Sequence, residues 1–316
     1  MHNILRKAAL LLLLLASLVS VSTAEAKKHG RVAIASGGVM YYEETGKGTP
    51  LLLLHGHSLD RRMWKPQVKA FAKSFRVIVP DFRGYGKSSK QAEDLHVTHV
   101  DDLITLMDSL HIDRAHVVGL SMGGFIAGDM VGMYPDRMIT CVMCSGGMRT
   151  SHPSVNDAVT AEEIAKSDAS IAAVKAQGVE NWRREWINKL VVNGGSQAEK
   201  IRRRLTKIIN SWDMWQLTNR EPHLYYGHEA YDSLKARRPQ VPTLYLSGET
   251  EHKGRMQMLN YLPISRQLEL KDCGHMSNME RPAEFNEMVL SFIHQYSRFP
   301  RRSHHIRITE QNNDSR

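Results

Sequence analysis

Three cysteines in 316 residues are too few for a disulfide framework, so a packed core must hold the fold. Cys141 and Cys144 fall at odd spacing on one apolar run, which points them to opposite faces of a strand and keeps them from pairing. Cys273 precedes His275 by two residues. A Cys144–Cys273 contact is conceivable, and three buried free thiols are the simpler expectation. No zinc-ligand spacing occurs, and His55-x-His57 has no third ligand nearby, so no metal is expected. No nucleic-acid-binding signature accompanies the basic residues, and no internal repeat is visible. These absences leave an ordinary globular chain, 42% hydrophobic and 24% charged.

The N-terminus is set apart. Arg6 and Lys7 precede the apolar run Ala8–Val19, and Ala24-Glu25-Ala26 follows. A charged start, an apolar middle shorter than a bilayer core requires and an A-x-A site predict a signal peptide over 1–26, removed on export to a secreted or periplasmic location. An uncleaved N-terminal anchor is the alternative, and without a cysteine near the cleavage site a lipoprotein is not expected. The formal charge is +9, with basic residues gathered in Arg183–Arg204 and Arg298–Arg307. Such an excess favours contact with anionic membrane or envelope surfaces, beside the plainer reading of a solvated basic face.

Val32–Ala35 and Val39–Glu44 alternate around Gly37-Gly38 and predict an antiparallel hairpin. From Leu51 the apolar runs become short and continuous: Leu51–Leu54, Val77–Val79, Val117–Leu120, Ile139–Cys144 and Thr243–Leu246. Continuous runs suit strands covered on both faces, as in a parallel sheet. Helical stretches lie between them, at Met63–Lys73, Val97–Leu110 and Met122–Tyr134, so the fold class is α/β, a doubly wound, mostly parallel sheet. The rhythm breaks after Gly147. Residues 148–238 read as a helical cap carrying Trp182, Trp186, Trp212 and Trp215, inserted into a core of residues 27–147 and 239–297. Residues 298–316 are polar, basic and aperiodic, which predicts disorder.

Gly119-Leu120-Ser121-Met122-Gly123 stands between a predicted strand and a predicted helix. In that setting G-x-S-x-G is a turn so tight that only Gly119 and Gly123 fit beside the serine, and it thrusts the hydroxyl over the sheet's end. Ser121 is the candidate nucleophile. A serine needs a base, an orienting acid and oxyanion donors. His275, behind Gly274 after the last strand, is the candidate base. Glu251 and Glu249 both follow Thr243–Leu246 and both could hold the imidazole; Glu251, three residues past Gly248, is the better placed. The oxyanion donors are expected to be the backbone N–H groups of Met122 and of His57, with Gly56 permitting the close approach.

With these residues in view, the chain resembles the α/β-hydrolase superfamily over about residues 31–297. The matching stretches include Leu51–Gly56, Met63-Trp64, Asp81–Ser88, Gly119–Gly124 and Gly274-His275. The resemblance implies the chain order Ser121, acid, His275, a structural turn at Asp81–Ser88 and a cap after the sixth strand. One departure is notable: relatives with this loop usually carry aspartate where Glu251 stands. Serine at the elbow argues against the haloalkane dehalogenase and epoxide hydrolase branches, which use aspartate there.

The expected activity is hydrolysis of carboxylic esters or lactones through an acyl-enzyme, on small-molecule substrates and with no cofactor. A prolyl-type aminopeptidase is an alternative that would draw on cap carboxylates such as Glu162, Glu163, Glu180 and Glu185. A carbon–carbon bond hydrolase would use the same triad. A binding protein that had lost catalysis is a further alternative, disfavoured by an intact Ser121/His275 pair.

Overall fold

The computed structural model describes residues 27–297, apart from 36, 91, 93–94 and 252–255. The expected signal peptide and basic tail lie outside the described residues. Eight strands form one sheet: β1 (Lys28–Ala33), β2 (Val39–Thr45), β3 (Pro50–Leu54), β4 (Arg76–Pro80), β5 (Ala115–Leu120), β6 (Met138–Cys144), β7 (Thr243–Gly248) and β8 (Ser265–Leu270). Their order is β1-β2-β4-β3-β5-β6-β7-β8. β1 and β2 are antiparallel, as is β2 with β4, and the remaining pairs are parallel.

Parallel pairing explains the continuous apolar runs. Along β3, Leu52 and Leu54 join one buried cluster while Leu51 and Leu53 join the other, and all four are fully buried. Each face is covered by helices. On the first lie α2 (His99–Ser109), through Leu103 and Leu106, and α3 (Met122–Met133), through Ile126 and Met130. On the second lie α1 (Lys65–Phe71), through Phe71, and α10 (Pro282–Ser297), through Phe285 and Val289. The helix expected over Met63–Lys73 is divided. A tight turn over Arg61–Trp64, capped by the Asp60 carboxylate, precedes α1, and Pro66 stands at the start of α1 because it has no N–H to give an earlier turn.

The chain between β6 and β7 is helical. It contains α4 (Ala161–Gln177), α5 (Val179–Val192), α6 (Ala198–Ile209), α7 (Trp215–Thr218) and α8 (His228–Arg237). A capping box between Thr160 and Glu163 starts α4, and Gly178 at φ +84° separates it from α5. α5 and α6 bury Ile187, Leu190, Ile201 and Leu205 against the same cluster as α10. α8 instead packs along α3, with Ala230 and Leu234 inward. The Asp81–Ser88 turn is a polar knot. Asp81 accepts from Arg61 N and Lys87 N, both at 2.9 Å, and Arg83 forms a two-pronged pair with Asp102 at 3.0 Å.

The three cysteines are buried and unpaired. A Cys144–Cys273 bridge is therefore not formed.

One buried carboxylate ties the insertion to α3. Asp129, on α3, is wholly buried, accepts from Tyr226 N at 2.8 Å and leaves its other oxygen without a partner. Burial raises its pKa from 3.8 to about 7, against the lowering effect of the Tyr226 and Gly227 N–H groups. The native state thus holds a proton that the unfolded chain releases, so its contribution to stability is full in acid and is lost as pH rises toward 7. Asp129→Asn, which stays neutral, should gain on the wild type by up to about 1.4 kcal/mol per pH unit between roughly pH 5 and 7, levelling off above pH 8. Urea melts of both proteins across that range measure the gap; a constant difference would show that Asp129 is ionised throughout.

Candidate active site

Ser121, Glu251 and His275 follow the carboxyl ends of β5, β7 and β8, the edge where open α/β folds gather their ligands. Glu162, Glu163, Glu180 and Glu185 lie instead on helices of the insertion. Ser121 links β5 directly to α3 with φ +55° and ψ −116°, a conformation strained for any side chain. Two close backbone approaches hold it there. A Cβ on Gly119 would run into the Gly123 carbonyl, and one on Gly123 would run into the carbonyl of Leu54. Ser121 N donates to Cys144 O at 2.8 Å, anchoring the turn to β6. The Ser121 hydroxyl does not cap its own helix.

His275 sits in the loop between β8 and the short helix α9 (Ser277–Glu280). Its Nδ1 is paired with Glu251 Oε1, and the second Glu251 oxygen takes the hydroxyl of Ser145. An Nδ1–H donated to the carboxylate leaves the lone pair on Nε2. The imidazole is 26% exposed and the carboxylate 11%, so substrate can reach the ring while the acid is shielded. Glu249 points elsewhere. It pairs with Lys271 at 2.9 Å and accepts from Asp272 N at 2.9 Å, at the surface. No hydrogen bond joins Ser121 Oγ to His275 among the described residues.

Three supports of this pair were not anticipated. Ser145, the first residue after β6, completes the clasp on Glu251, and its own N–H donates to Leu246 O at 2.9 Å. The buried Glu280 accepts from Gly274 N at 3.2 Å and from Gly195 N at 2.8 Å, fixing the His275 loop against the insertion. Thr250 donates its hydroxyl to Asn193 O at 2.5 Å. Only Ser145 had a legible signal, its position at a strand end beside the elbow.

The His55-Gly56-His57 loop passes against Ser121, and a Cβ on Gly56 would lie 3.4 Å from Ser121 Cβ. Met122, the first residue of α3, is buried. Its N–H, like all those of a first helical turn, has no helical acceptor. The two flanking imidazoles are neutral structural pieces. His55 is fully buried, bonds Gly56 O through Nδ1 at 2.9 Å and accepts from Phe82 N through Nε2 at 3.0 Å. Its ring is engaged on both nitrogens, which leaves neither for a metal. Burial lowers His57 to about 4, with His55 and Arg149 adding to the effect, and its Nδ1 meets Tyr85 Oη at 2.9 Å.

Aromatic rings from the insertion roof this loop. Trp212 packs edge-on to His57 at 4.9 Å and stacks on Tyr85 at 6.1 Å, and Trp182 contacts both Trp212 and Trp186. Trp186 Nε1 donates to Ser58 Oγ at 2.8 Å, pinning α5 to the loop. A cavity of about 320 Å³ opens between Trp186, Leu190 and Asn193 on one side and Thr250, Glu251 and His275 on the other. Trp212 is core, while Trp182 and Trp186 remain partly accessible.

Comparison with known proteins agrees with this fold. The chain is 26% identical to the uncharacterized carboxylesterase nap of Bacillus subtilis, over 77% of this chain and 79% of that one. A solved structure of a thermophilic esterase from Thermogutta terrifontis superposes with a TM-score of 0.68 at 26% identity, covering 85% of this chain and 99% of the esterase. Bifunctional epoxide hydrolase 2 of Sus scrofa is 23% identical across 87% of this chain, which spans little more than half (57%) of that relative's length. The family described by the alpha/beta hydrolase fold matches residues 49–282. With its eight-stranded, mostly parallel sheet and its serine turn at the carboxyl edge, this chain belongs to that alpha/beta hydrolase family.

Proposed function

We propose that the protein is a serine hydrolase that cleaves carboxylic esters or lactones of small molecules through an acyl-enzyme. The observation that carries this reading is the Glu251–His275 pair, set on the same sheet edge as the strained Ser121 turn. In the first step Ser121 Oγ attacks the carbonyl carbon while His275 Nε2 takes the hydroxyl proton. Glu251 stabilises the imidazolium that forms and holds its tautomer. The negative oxygen of the tetrahedral intermediate is received by the N–H groups of Met122 and His57. Collapse expels the alcohol, which leaves with the proton from His275, and water repeats the sequence to release the acid. The Ser121–His275 hydrogen bond forms as substrate fills the site, a tightening common between free and occupied enzymes.

Glutamate in place of the aspartate usual in relatives is accommodated because two partners, Ser145 and His275, fix its longer side chain. The named esterase relatives support an ester-cleaving reading. Epoxide hydrolase chemistry is disfavoured by a serine at the elbow. Residues 1–26 would direct the enzyme across a membrane, and the basic face of the insertion would suit anionic envelope surfaces.

Ser121→Ala should lower kcat/KM for 4-nitrophenyl esters by roughly 10⁴-fold or more and abolish fluorophosphonate labelling. Retention of labelling would move the nucleophile elsewhere. Glu251→Gln should cost roughly 10³–10⁴-fold through loss of the correct imidazole tautomer, and Glu249→Gln less than threefold. The reverse order would overturn the assignment of the acid. Mass spectrometry of the exported protein should find an N-terminus at Lys27; an intact Met1 on the membrane fraction would mean an uncleaved anchor.

A further inference from the structure

The turn that joins α5 to α6 is bonded to both of the loops that carry the candidate acid and base. Gly195 N donates to Glu280 Oε2 at 2.8 Å, and Gly274 N, one residue before His275, donates to the same carboxylate at 3.2 Å. Asn193 O accepts the hydroxyl of Thr250, one residue before Glu251, at 2.5 Å. Ser196 N donates to Asp272 Oδ1 at 2.7 Å, and Asp272 is held at φ +51°. Thr250 N joins the two loops to each other by donating to Cys273 O at 3.1 Å. Asn193 and Thr250 also line the cavity beside Glu251 and His275.

The three stretches of backbone cross too closely for side chains. A Cβ on Gly274 would lie 2.3 Å from Asn193 O, and one on Gly195 would lie 2.0 Å from Asp272 O. A Cβ on Gly248 would lie 2.3 Å from Gly274 O. So tight a crossing has little room to slide, and it fixes the direction in which both loops leave it. Glu280 is its polar centre. The side chain is buried, and among the described residues its hydrogen bonds come from backbone N–H groups alone. The neighbouring Arg281 pairs with Asp272 and Glu284 instead. Burying a carboxylate without a cation beside it is costly. An apolar side chain would avoid that cost but would leave the Gly195 and Gly274 N–H groups without acceptors.

We propose that Glu280 and Thr250 are positioning residues, through which the α5–α6 turn sets the orientation in which Glu251 and His275 meet. Each acts one residue away, Glu280 on the N–H before His275 and Thr250 on the peptide leading to Glu251. The insertion thereby acts on the chemical step through the acid–base pair, a role that rests on the hydrolase reading above. A misplacement of about 1 Å in such a pair costs on the order of a hundredfold in rate.

The test uses Glu280→Gln, which keeps the size of the side chain. Its amide oxygen can still accept from Gly195 and Gly274, but its NH2 group then stands against the Gly274 N–H. On a 4-nitrophenyl ester kcat should fall roughly ten- to hundredfold, with KM unchanged within about twofold. Thr250→Val should lower kcat roughly three- to tenfold in the same way, and Thr250→Ser, which keeps the hydroxyl, should restore it. Glu284→Gln, at the surface of α10, is the control for lost charge and should leave kcat as it is. A second readout needs no substrate. The proton between His275 Nδ1 and Glu251 should give a downfield proton NMR resonance in wild type that is missing in Glu251→Gln. It should broaden or vanish in Glu280→Gln and Thr250→Val. In variants whose thermal melts show them folded, an unchanged kcat overturns the proposal. So does a fallen kcat beside an unchanged resonance, since the loss then bypasses the acid–base pair. Should Glu280→Gln fail to fold, the two Thr250 variants decide. If wild type cleaves no ester, the hydrolase reading fails while the resonance still tests the positioning; a wild type without the resonance overturns the positioning itself.

Discussion

The backbone crossing beneath Ser121 governs the arrangement above it. Gly119 and Gly123 let β5, α3 and the end of β3 approach until no side chain fits between them. That closeness forces Ser121 into a positive φ and turns its hydroxyl away from the helix it begins. The same approach brings the His55–His57 loop against the serine from one side and the Ser145–Gly146 loop from the other. Substituting any of these glycines would separate strands whose ends must meet for the site to exist. Local strain at Ser121 is sustained by the fully buried β3 and β5 on either face, a packed sheet that cannot relax without opening its core.

Desolvation then sorts the histidines. His55, His57 and His99 lie near the same edge, and burial lowers all three, His99 to about 3, so they stay neutral and serve as hydrogen-bonding or packing elements. His275 differs by address. It is partly exposed, it has a carboxylate on Nδ1, and its loop is clamped by Glu280. A ring that must accept and return a proton needs this combination of access and orientation rather than burial alone.

The insertion is fastened to this edge at several points. Trp186 anchors α5 to Ser58, Trp212 covers His57, and Asp129 fastens the segment before α8 to α3. These contacts come from three separated stretches of the insertion, and they meet the loop after β3 and the helix α3. The insertion also presents the partly accessible, stacked rings of Trp182 and Trp186.

Much of this was legible before any coordinates. Continuous apolar runs separated by helical periodicity gave away a parallel sheet, since only strands covered on both faces can be apolar at every position. The five residues around Ser121 disclosed their turn because steric exclusion acts locally, on glycines a few positions away. Glu251 could not be separated from Glu249 by sequence, because two residues of a single tight turn differ only in direction, and direction is set by partners supplied from β6 and β8. Glu280 and Thr250 were hidden for the same reason: each acts through residues remote in the chain. What the amino-acid order determined by itself was the sheet and the elbow, both products of short-range sterics and hydrophobic spacing. What tertiary structure alone decided was which polar side chains face one another, because hydrogen bonds and charge contacts need distances of about 3 Å that only the closed fold imposes.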